Sequence, residues 1–156
     1  MAFDMLVKLY NVKDDPALME KLEGEGILLK KAMRTELTLV TSWVKEKFGQ
    51  GWADECMAGV LQSTCWIAVK DKEIIGFACY DTTAKGFFGP TGVSEEMRGK
   101  GIGKALLLRC MISLREAGYA YAIIGWVGPA EFYSKVVGAT PIEDSWPGTY
   151  HNMAKI

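Results

Sequence analysis

The chain has 156 residues, 49% of them hydrophobic and 24% charged, and its formal net charge at pH 7 is −1. This length and balance favour one globular domain over residues 1–156, and the scattered basic residues argue against nucleic acid as a partner. No apolar run approaches the ~18 residues of a membrane span and no secretory signal is visible, so we expect a cytoplasmic protein without a membrane partner.

The first half of the chain predicts alternating strands and helices. Residues 5–11 have the pattern of a strand, and residues 15–24 that of a short helix, because Asp-Pro is a favoured helix start. Residues 27–32 predict a second strand. A longer helix is predicted from residue 34 to a stop at Gly49, and helical spacing recurs over residues 52–60.

The middle of the chain changes to the period of strands. Residues 65–69 and 74–80 predict a hairpin, and residues 87–93 predict a third strand. This third strand contains Pro90 between two glycines. Because proline cannot donate to a ladder and glycine often marks a bulge, we expect the strand to be irregular and partly unpaired.

The C-terminal third predicts two helices and three strands. An amphipathic helix covers residues 102–118, and residues 119–127 predict an apolar strand that is buried on both faces. A short helix is expected over residues 128–138. Residues 140–156 predict two strands joined through Trp-Pro-Gly.

The four cysteines predict a structural role. Each lies in an apolar segment, none has Cys-x-x-Cys spacing, and the single histidine, His151, is distant from all of them in sequence. We therefore expect buried free thiols and no metal site.

The segment of residues 93–104, Val-Ser-Glu-Glu-Met-Arg-Gly-Lys-Gly-Ile-Gly-Lys, carries the strongest functional signal. A glycine-rich turn at the start of a helix leaves backbone N–H groups pointing outward at the positive end of the helix dipole, which predicts an anion site, most naturally for a pyrophosphate. Ala105 after Lys104 excludes a Walker phosphate loop, and the Gly-x-Gly-x-Gly spacing differs from the dinucleotide fingerprint.

The motif Arg-Gly-Lys-Gly-Ile-Gly resembles the coenzyme A pyrophosphate loop of the GCN5-related N-acetyltransferase (GNAT) superfamily, and the order of elements is similar from about residue 27 onward. The strand and helix at residues 5–24 are extra. The resemblance implies an α/β (α+β) fold whose mixed, mostly antiparallel central sheet splays between two strands and is flanked by helices. It also implies an acetyl-CoA donor, used without a metal and bound by Thr91, Gly92, Val93, Arg98, Gly99, Lys100, Gly101, Ile102, Gly103 and Lys104.

Residues 130–139 resemble a later motif of the same superfamily, which implies an N-acetyltransferase with Tyr133 as its general acid. Trp126 stands where the family often has an asparagine that binds pantetheine, and residues 87–93 contain no carboxylate, so no general base is assigned. These departures leave open a second reading, a non-catalytic module that binds CoA or acyl-CoA.

The resemblance implies a small-molecule or peptide amine as acceptor, but the sequence does not identify it. Two candidate acceptor-site residues are acidic: Glu36 at the start of the long helix and Asp81 after the second strand of the hairpin. A third candidate is Tyr150 in the C-terminal tail (residues 140–156), with His151 beside it. Side chains of these types are equally typical of an ordinary surface. A homodimer is left open.

Overall fold

The computed structural model describes residues 2–155 and contains a seven-stranded sheet with the strand order β2-β3-β4-β5-β6-β1-β7. All neighbouring strands are antiparallel except β5 and β6, which are parallel. The mixed, mostly antiparallel sheet implied by the family resemblance is therefore confirmed. The strands are β1 (Met5–Lys8), β2 (Ile27–Lys31), β3 (Cys65–Lys70), β4 (Glu73–Tyr80), β5 (Phe87–Val93), β6 (Tyr121–Ile124) and β7 (Thr140–Pro141).

Helices cover both faces of the sheet and enclose two apolar clusters. One cluster includes the buried stripe of α4, and the other lies beneath α2 and α3. None of the described helices is long and apolar enough to cross a membrane. The helices are α1 (Pro16–Gly24), α2 (Leu37–Phe48), α3 (Gln50–Leu61), α4 (Ile102–Glu116) and α5 (Ala130–Val137).

The sheet opens between β5 and β6. These strands form only two residue pairs, Phe87 with Ile123 and Phe88 with Ile124, and β5 then continues to Val93 without a partner on that side. Pro90 has no N–H to give to a neighbour, and the pairing of β5 with β4 also shifts register near this point. The expected gap between the two strands is confirmed.

Two predicted strand assignments are wrong. The strand expected over residues 119–127 is reduced to β6, and Tyr121 within it is half exposed, so β6 is not buried on both faces. The tail forms one two-residue strand, β7, instead of two strands. The physical reason is that β1 already pairs with both β6 and β7, while Ser145 and a short 3-10 helix, Gly148–Tyr150, fold the rest of the tail over the N-terminal segment.

The last residue of α2 packs directly on β5. A Cβ on Gly92 would overlap the Phe48 ring, which would have to move. Glycine at this position thus leaves room for Phe48 to pack against the sheet.

Replacing Gly92 with alanine should destabilise the protein by about 1–3 kcal/mol, because the new methyl group overpacks this contact. The matched control is Gly51→Ala in α3, where a Cβ would meet nothing within 4 Å. The control should be neutral or stabilising by up to about 1 kcal/mol, since alanine is the better helix former. Free energies of unfolding from urea titrations measure both changes. Equal stabilities would contradict the proposed contact between Phe48 and Gly92.

Candidate functional site

The turn before α4 presents a row of unused backbone donors. Gly101 is the N-cap of this 15-residue helix and has a left-handed φ of 89°. Within residues 2–155, the backbone N–H groups of Gly101, Ile102, Gly103 and Lys104 donate to no protein acceptor. Four unsatisfied donors at the positive end of a long helix form a site for an anion.

Two charged residues of the predicted pyrophosphate loop are already engaged within the protein. Arg98 donates its backbone N–H to the carbonyl of Glu95 at 3.3 Å and its Nε–H to the carbonyl of Val93 at 3.4 Å. The Lys104 ammonium forms an ion pair with Asp15 at 2.9 Å. In this structure these side chains brace the loop, so the backbone donors remain as the anion site.

Helix α1 supports the back of the loop. A Cβ on Gly101 would lie 2.7 Å from Cδ1 of Leu18, so only glycine fits between the loop and α1. The Lys21 ammonium donates to the carbonyl of Lys100 at 3.3 Å. Gly99 is also left-handed, with a φ of 83° and no atom near its Cβ position. The loop is thus held from behind and open in front.

A cavity of about 580 Å³ extends from this loop into the gap between β5 and β6. Its walls come from both faces of the sheet, with Phe48 and Trp52 on the α2–α3 side and Leu107 and Tyr133 on the α4 side. The volume lies within the range of small-molecule sites. The cavity wall therefore includes residues packed on both faces of the sheet.

β5 directs two backbone N–H groups into the gap. Ser94 donates to Ile75 in the adjacent ladder, so the antiparallel alternation turns the N–H groups of Val93 and Thr91 away from β4. No strand pairs with them on the other side. These groups are suited to bind an extended amide-containing chain or a carbonyl oxygen.

Tyr133 lies on α5 and forms part of the cavity wall. Its ring is buried and packs edge-on against Phe88, with 6.2 Å between ring centroids. Burial raises the pKa of Tyr133 to about 12, so the phenol is neutral at physiological pH. A neutral buried phenol that borders a cavity is able to donate a proton there. α5 ends at Gly138 in the left-handed conformation, as the sequence predicts.

The Trp126 side chain packs against the tail and does not line the cavity. Its indole N–H donates to the carbonyl of Pro147 at 3.2 Å, and its ring lies 4.2 Å from that of Tyr150 and 5.1 Å from that of Trp146. Its backbone N–H donates to the buried Asp4 carboxylate. Trp126 therefore attaches the tail to the strand ends and is absent from the cavity wall.

Glu36 and Asp81 are engaged in local structure. Glu36 accepts from the Met33 N–H and pairs with Lys30 at 2.9 Å. Although burial raises the pKa of Glu36, these two contacts outweigh it and hold the pKa below its ordinary value. The Asp81 carboxylate accepts from the Gly86 N–H, which closes the β4–β5 connection, and from the Tyr119 hydroxyl. Neither residue lines the cavity.

Tyr150 is half-buried near the carboxylate of Glu55, which the sequence did not indicate as a site residue. Burial raises the pKa of Tyr150, and the charges of Glu55 and Asp4 raise it further, while Thr83 opposes them. His151 is exposed and its Nδ1 lies 3.0 Å from the Gly148 carbonyl. No periodicity singles out Glu55, since a lone acid on a helix is usually solvated. The one sequence feature that could have indicated Glu55 is its position three residues after Trp52.

All four cysteines are buried free thiols, as expected. The structure also brings Cys56, Cys65 and Cys79 together, with all three Sγ atoms within 4.8 Å of one another. Their spacing along the chain gave no reason to expect this cluster. Hydrogen bonding within the cluster and burial raise the pKa values of Cys65 and Cys79, so both remain protonated and pack as small apolar groups.

Substituting Gly103 with valine tests the donor site. Gly103 is the second residue of α4, and its Cβ position meets only Val93 Cγ2, at 3.9 Å, so the fold accommodates a side chain there. The valine should block access of a pyrophosphate to the loop N–H groups. Losing two charge-assisted hydrogen bonds, about 1.5–3 kcal/mol each, should weaken CoA binding by about 100-fold or more in calorimetry.

Gly51→Val is the control, because Gly51 is also the second residue of its helix and has open space around it. It should bind CoA like the unmodified protein. Unchanged affinity of the Gly103→Val protein, with its melting temperature preserved, would rule out this loop as the pyrophosphate site.

Solved structures of similar shape share this fold. A glucosamine N-acetyltransferase region of a fungal multi-domain β-N-acetylglucosaminidase matches 90% of this chain and 20% of that chain, with a TM-score of 0.74 and 17% identity. A GCN5-related N-acetyltransferase from Sphaerobacter thermophilus matches 90% and 48%, with a TM-score of 0.66 and 21% identity. An Escherichia coli GNAT-family N-acetyltransferase in complex with CoA matches 70% and 67%, with a TM-score of 0.57 and 19% identity.

The chain thus spans between a fifth and two thirds of these proteins, and identities this low establish the fold alone. A search of curated proteins finds no match. The profile of the acetyltransferase (GNAT) family matches residues 37–138, which run from the start of α2 to the glycine that ends α5. This range contains the anion loop, β5 and β6 with the gap between them, and Tyr133. The chain belongs to the GNAT acetyltransferase family.

Proposed function

We propose that this protein transfers an acetyl group from acetyl-CoA to an amine, by direct attack within a ternary complex. The observation that carries the proposal is that one cavity joins three features: the unsatisfied N–H groups at the start of α4, the gap between β5 and β6, and the neutral phenol of Tyr133. An anion bound at the first feature and an extended arm along β5 would bring a thioester close to the third.

Donor binding is assigned mainly to the backbone. The pyrophosphate is held by the N–H groups from Gly101 to Lys104, and the amides of the pantetheine arm pair with the free edge of β5 in place of a neighbouring strand. Val93 is the predicted donor to the thioester oxygen, and Thr91 turns its N–H to the same side. A donor of this kind stabilises the tetrahedral oxyanion by a few kcal/mol.

The leaving thiolate requires a proton, and Tyr133 is the proposed source. Proton transfer from a phenol with a pKa of about 12 to a thiolate is uphill. With an ordinary thiol pKa of about 8.5, the gap of ~3.5 units corresponds to roughly 5 kcal/mol. Transfer of a proton from the charged nitrogen of the tetrahedral intermediate to Tyr133, as the phenol proton passes to sulfur, would offset this cost.

Release of free thiol from acetyl-CoA in the presence of a panel of amines distinguishes an enzyme from a CoA-binding module. The panel includes glucosamine, since one protein of similar fold carries a glucosamine N-acetyltransferase region. Thiol release that depends on the amine, with the acetylated amine found by mass spectrometry, supports the transferase. CoA binding without amine-dependent release would support the non-catalytic module.

Tyr133→Phe retains the ring and removes only the hydroxyl. We expect donor affinity to be unchanged and kcat to fall by roughly 10- to 1000-fold, within the range of general acid catalysis. The loss should shrink for acetyl donors with more acidic thiols, because these leave with less help from a proton.

The control is Tyr10→Phe, since Tyr10 is exposed and outside the cavity. It should leave kcat unchanged. Full turnover of the Tyr133→Phe protein would reduce Tyr133 to a packing residue, and a loss that does not depend on the leaving group would assign the hydroxyl to substrate positioning.

A further inference from the structure

A carboxylate without a cationic partner lies on α3, outside the cavity wall but one helical turn from a residue that forms it. Glu55 is one helical turn after Trp52, which lines the cavity, so the two side chains share a face of α3. The Glu55 side chain is half-buried and accepts a hydrogen bond from the Thr83 hydroxyl. Among residues 2–155, no lysine, arginine or histidine nitrogen lies within 4.0 Å of it.

Three distant segments of the chain meet around this carboxylate. A Cβ on Gly59, one turn further along α3, would lie 3.2 Å from Cγ2 of Thr82, so Gly59 lets the loop after β4 approach the helix closely. The tail contributes the half-buried Tyr150, whose pKa is raised by burial, lowered by Thr83 and raised by the charge of Glu55. The resulting cluster consists of Glu55, Thr83 and Tyr150.

The cluster lies where β5 and β6 separate. The Tyr150 hydroxyl is 3.6 Å from the Cβ position of Gly125, the residue directly after the last pair of β6. The Phe87 ring borders the same position at 3.1 Å, whereas Phe88 packs against Tyr133. Because successive strand residues face opposite sides of a sheet, the cluster and Tyr133 flank the gap from opposite faces.

We propose that Glu55 binds the ammonium group of the acceptor and takes one of its protons, and that the acceptor is a compact primary amine with an apolar or flat body. This inference rests on the acetyl transfer proposed above. Phe48 and Trp52 offer ring surfaces to the body of such an amine, and ammonium groups bind favourably near aromatic faces. A polycation would require further carboxylates, but the Asp81 carboxylate is already occupied by the Gly86 N–H and the Tyr119 hydroxyl.

The proton balance uses both sides of the gap. An ammonium group carries three protons, and the amide product retains one of them on nitrogen. Glu55 takes the first proton and frees the lone pair, which forms the C–N bond to the thioester carbon. The second proton leaves the intermediate to replace the Tyr133 phenol proton, which passes to sulfur as the C–S bond breaks. Glu55 then releases its proton to solvent.

The environment of Glu55 suits proton acceptance. Burial raises the pKa of Glu55, and the Thr83 hydrogen bond only partly offsets the increase. A higher pKa makes the ionised carboxylate a stronger base. The titratable groups that face the cluster from other elements are Tyr150 in the tail and Asp4 near the N-terminus, and neither is a cation that would lower this pKa.

Glu55→Gln tests the role in turnover, because glutamine retains the shape and an acceptor oxygen for Thr83 but cannot take a proton. We expect kcat/KM for amines to fall by roughly 10²- to 10⁴-fold while CoA affinity is unchanged. In the unmodified protein kcat/KM should rise with pH as Glu55 ionises, and this acid limb should disappear in Glu55→Gln. The control is Asp54→Asn, since Asp54 is exposed and bonds only to Gln50.

A binding measurement that needs no turnover separates this inference from the proposed function. Phenethylammonium, phenethyl alcohol and spermidine are titrated by NMR into protein saturated with CoA. The inference expects the monoamine to bind at least about 10-fold more tightly than the other two, with that preference lost in Glu55→Gln. Equal binding of amine and alcohol, no binding of the amine, or an unaltered pH profile in Glu55→Gln would overturn it. Amine-dependent thiol release would still support acetyl transfer.

Discussion

The interrupted ladder between β5 and β6 is the constraint on which the rest of the site depends. Two residue pairs join these strands, and the N–H groups of Thr91 and Val93 are then left without a strand partner. Both residues are only partly buried and line the cavity, so their N–H groups are available to an amide-rich ligand. The cavity at this divergence also reaches the start of α4, and Tyr133 and the cluster of Glu55 flank the gap from opposite faces. The proposed donor binding and the proposed acid and base roles would therefore all follow from a single local loss of pairing.

The N-terminal strand and helix stabilise both sides of this opening. β1 lies between β6 and β7 and gives β6 a partner on the side that faces away from β5. α1 fixes the anion loop through Leu18 against Gly101 and through the pair of Asp15 with Lys104. Without these contacts the loop would have to pay the entropy of ordering when a ligand binds. The N-terminal strand and helix thus hold β6 and the anion loop in place.

Features encoded locally could be predicted from the sequence, whereas features made by distant segments could not. The left-handed glycine turn before α4, the helix stops and the irregular β5 depend on neighbouring residues, and the structure contains all three, while the ligand of the turn stays a prediction. The prediction of two strands in the tail was wrong because β1, more than 130 residues earlier in the chain, takes the pairing positions that a second tail strand would need. The contact of Phe48 with Gly92, the three-cysteine cluster and the surroundings of Glu55 depend on tertiary packing, which no period of apolar residues records.

Because two residue pairs join β5 to β6, the stability of the fold would also depend on the concentration of the acetyl-CoA donor. A pantetheine arm lying along β5 would act as an interstitial strand that bridges the two halves of the sheet. Any ligand that binds only the folded state stabilises it by mass action, by about 2.7 kcal/mol at a concentration 100 times its Kd. The abundance of this protein in a cell would then follow the level of CoA thioesters, because chains without a donor would unfold and be degraded more often.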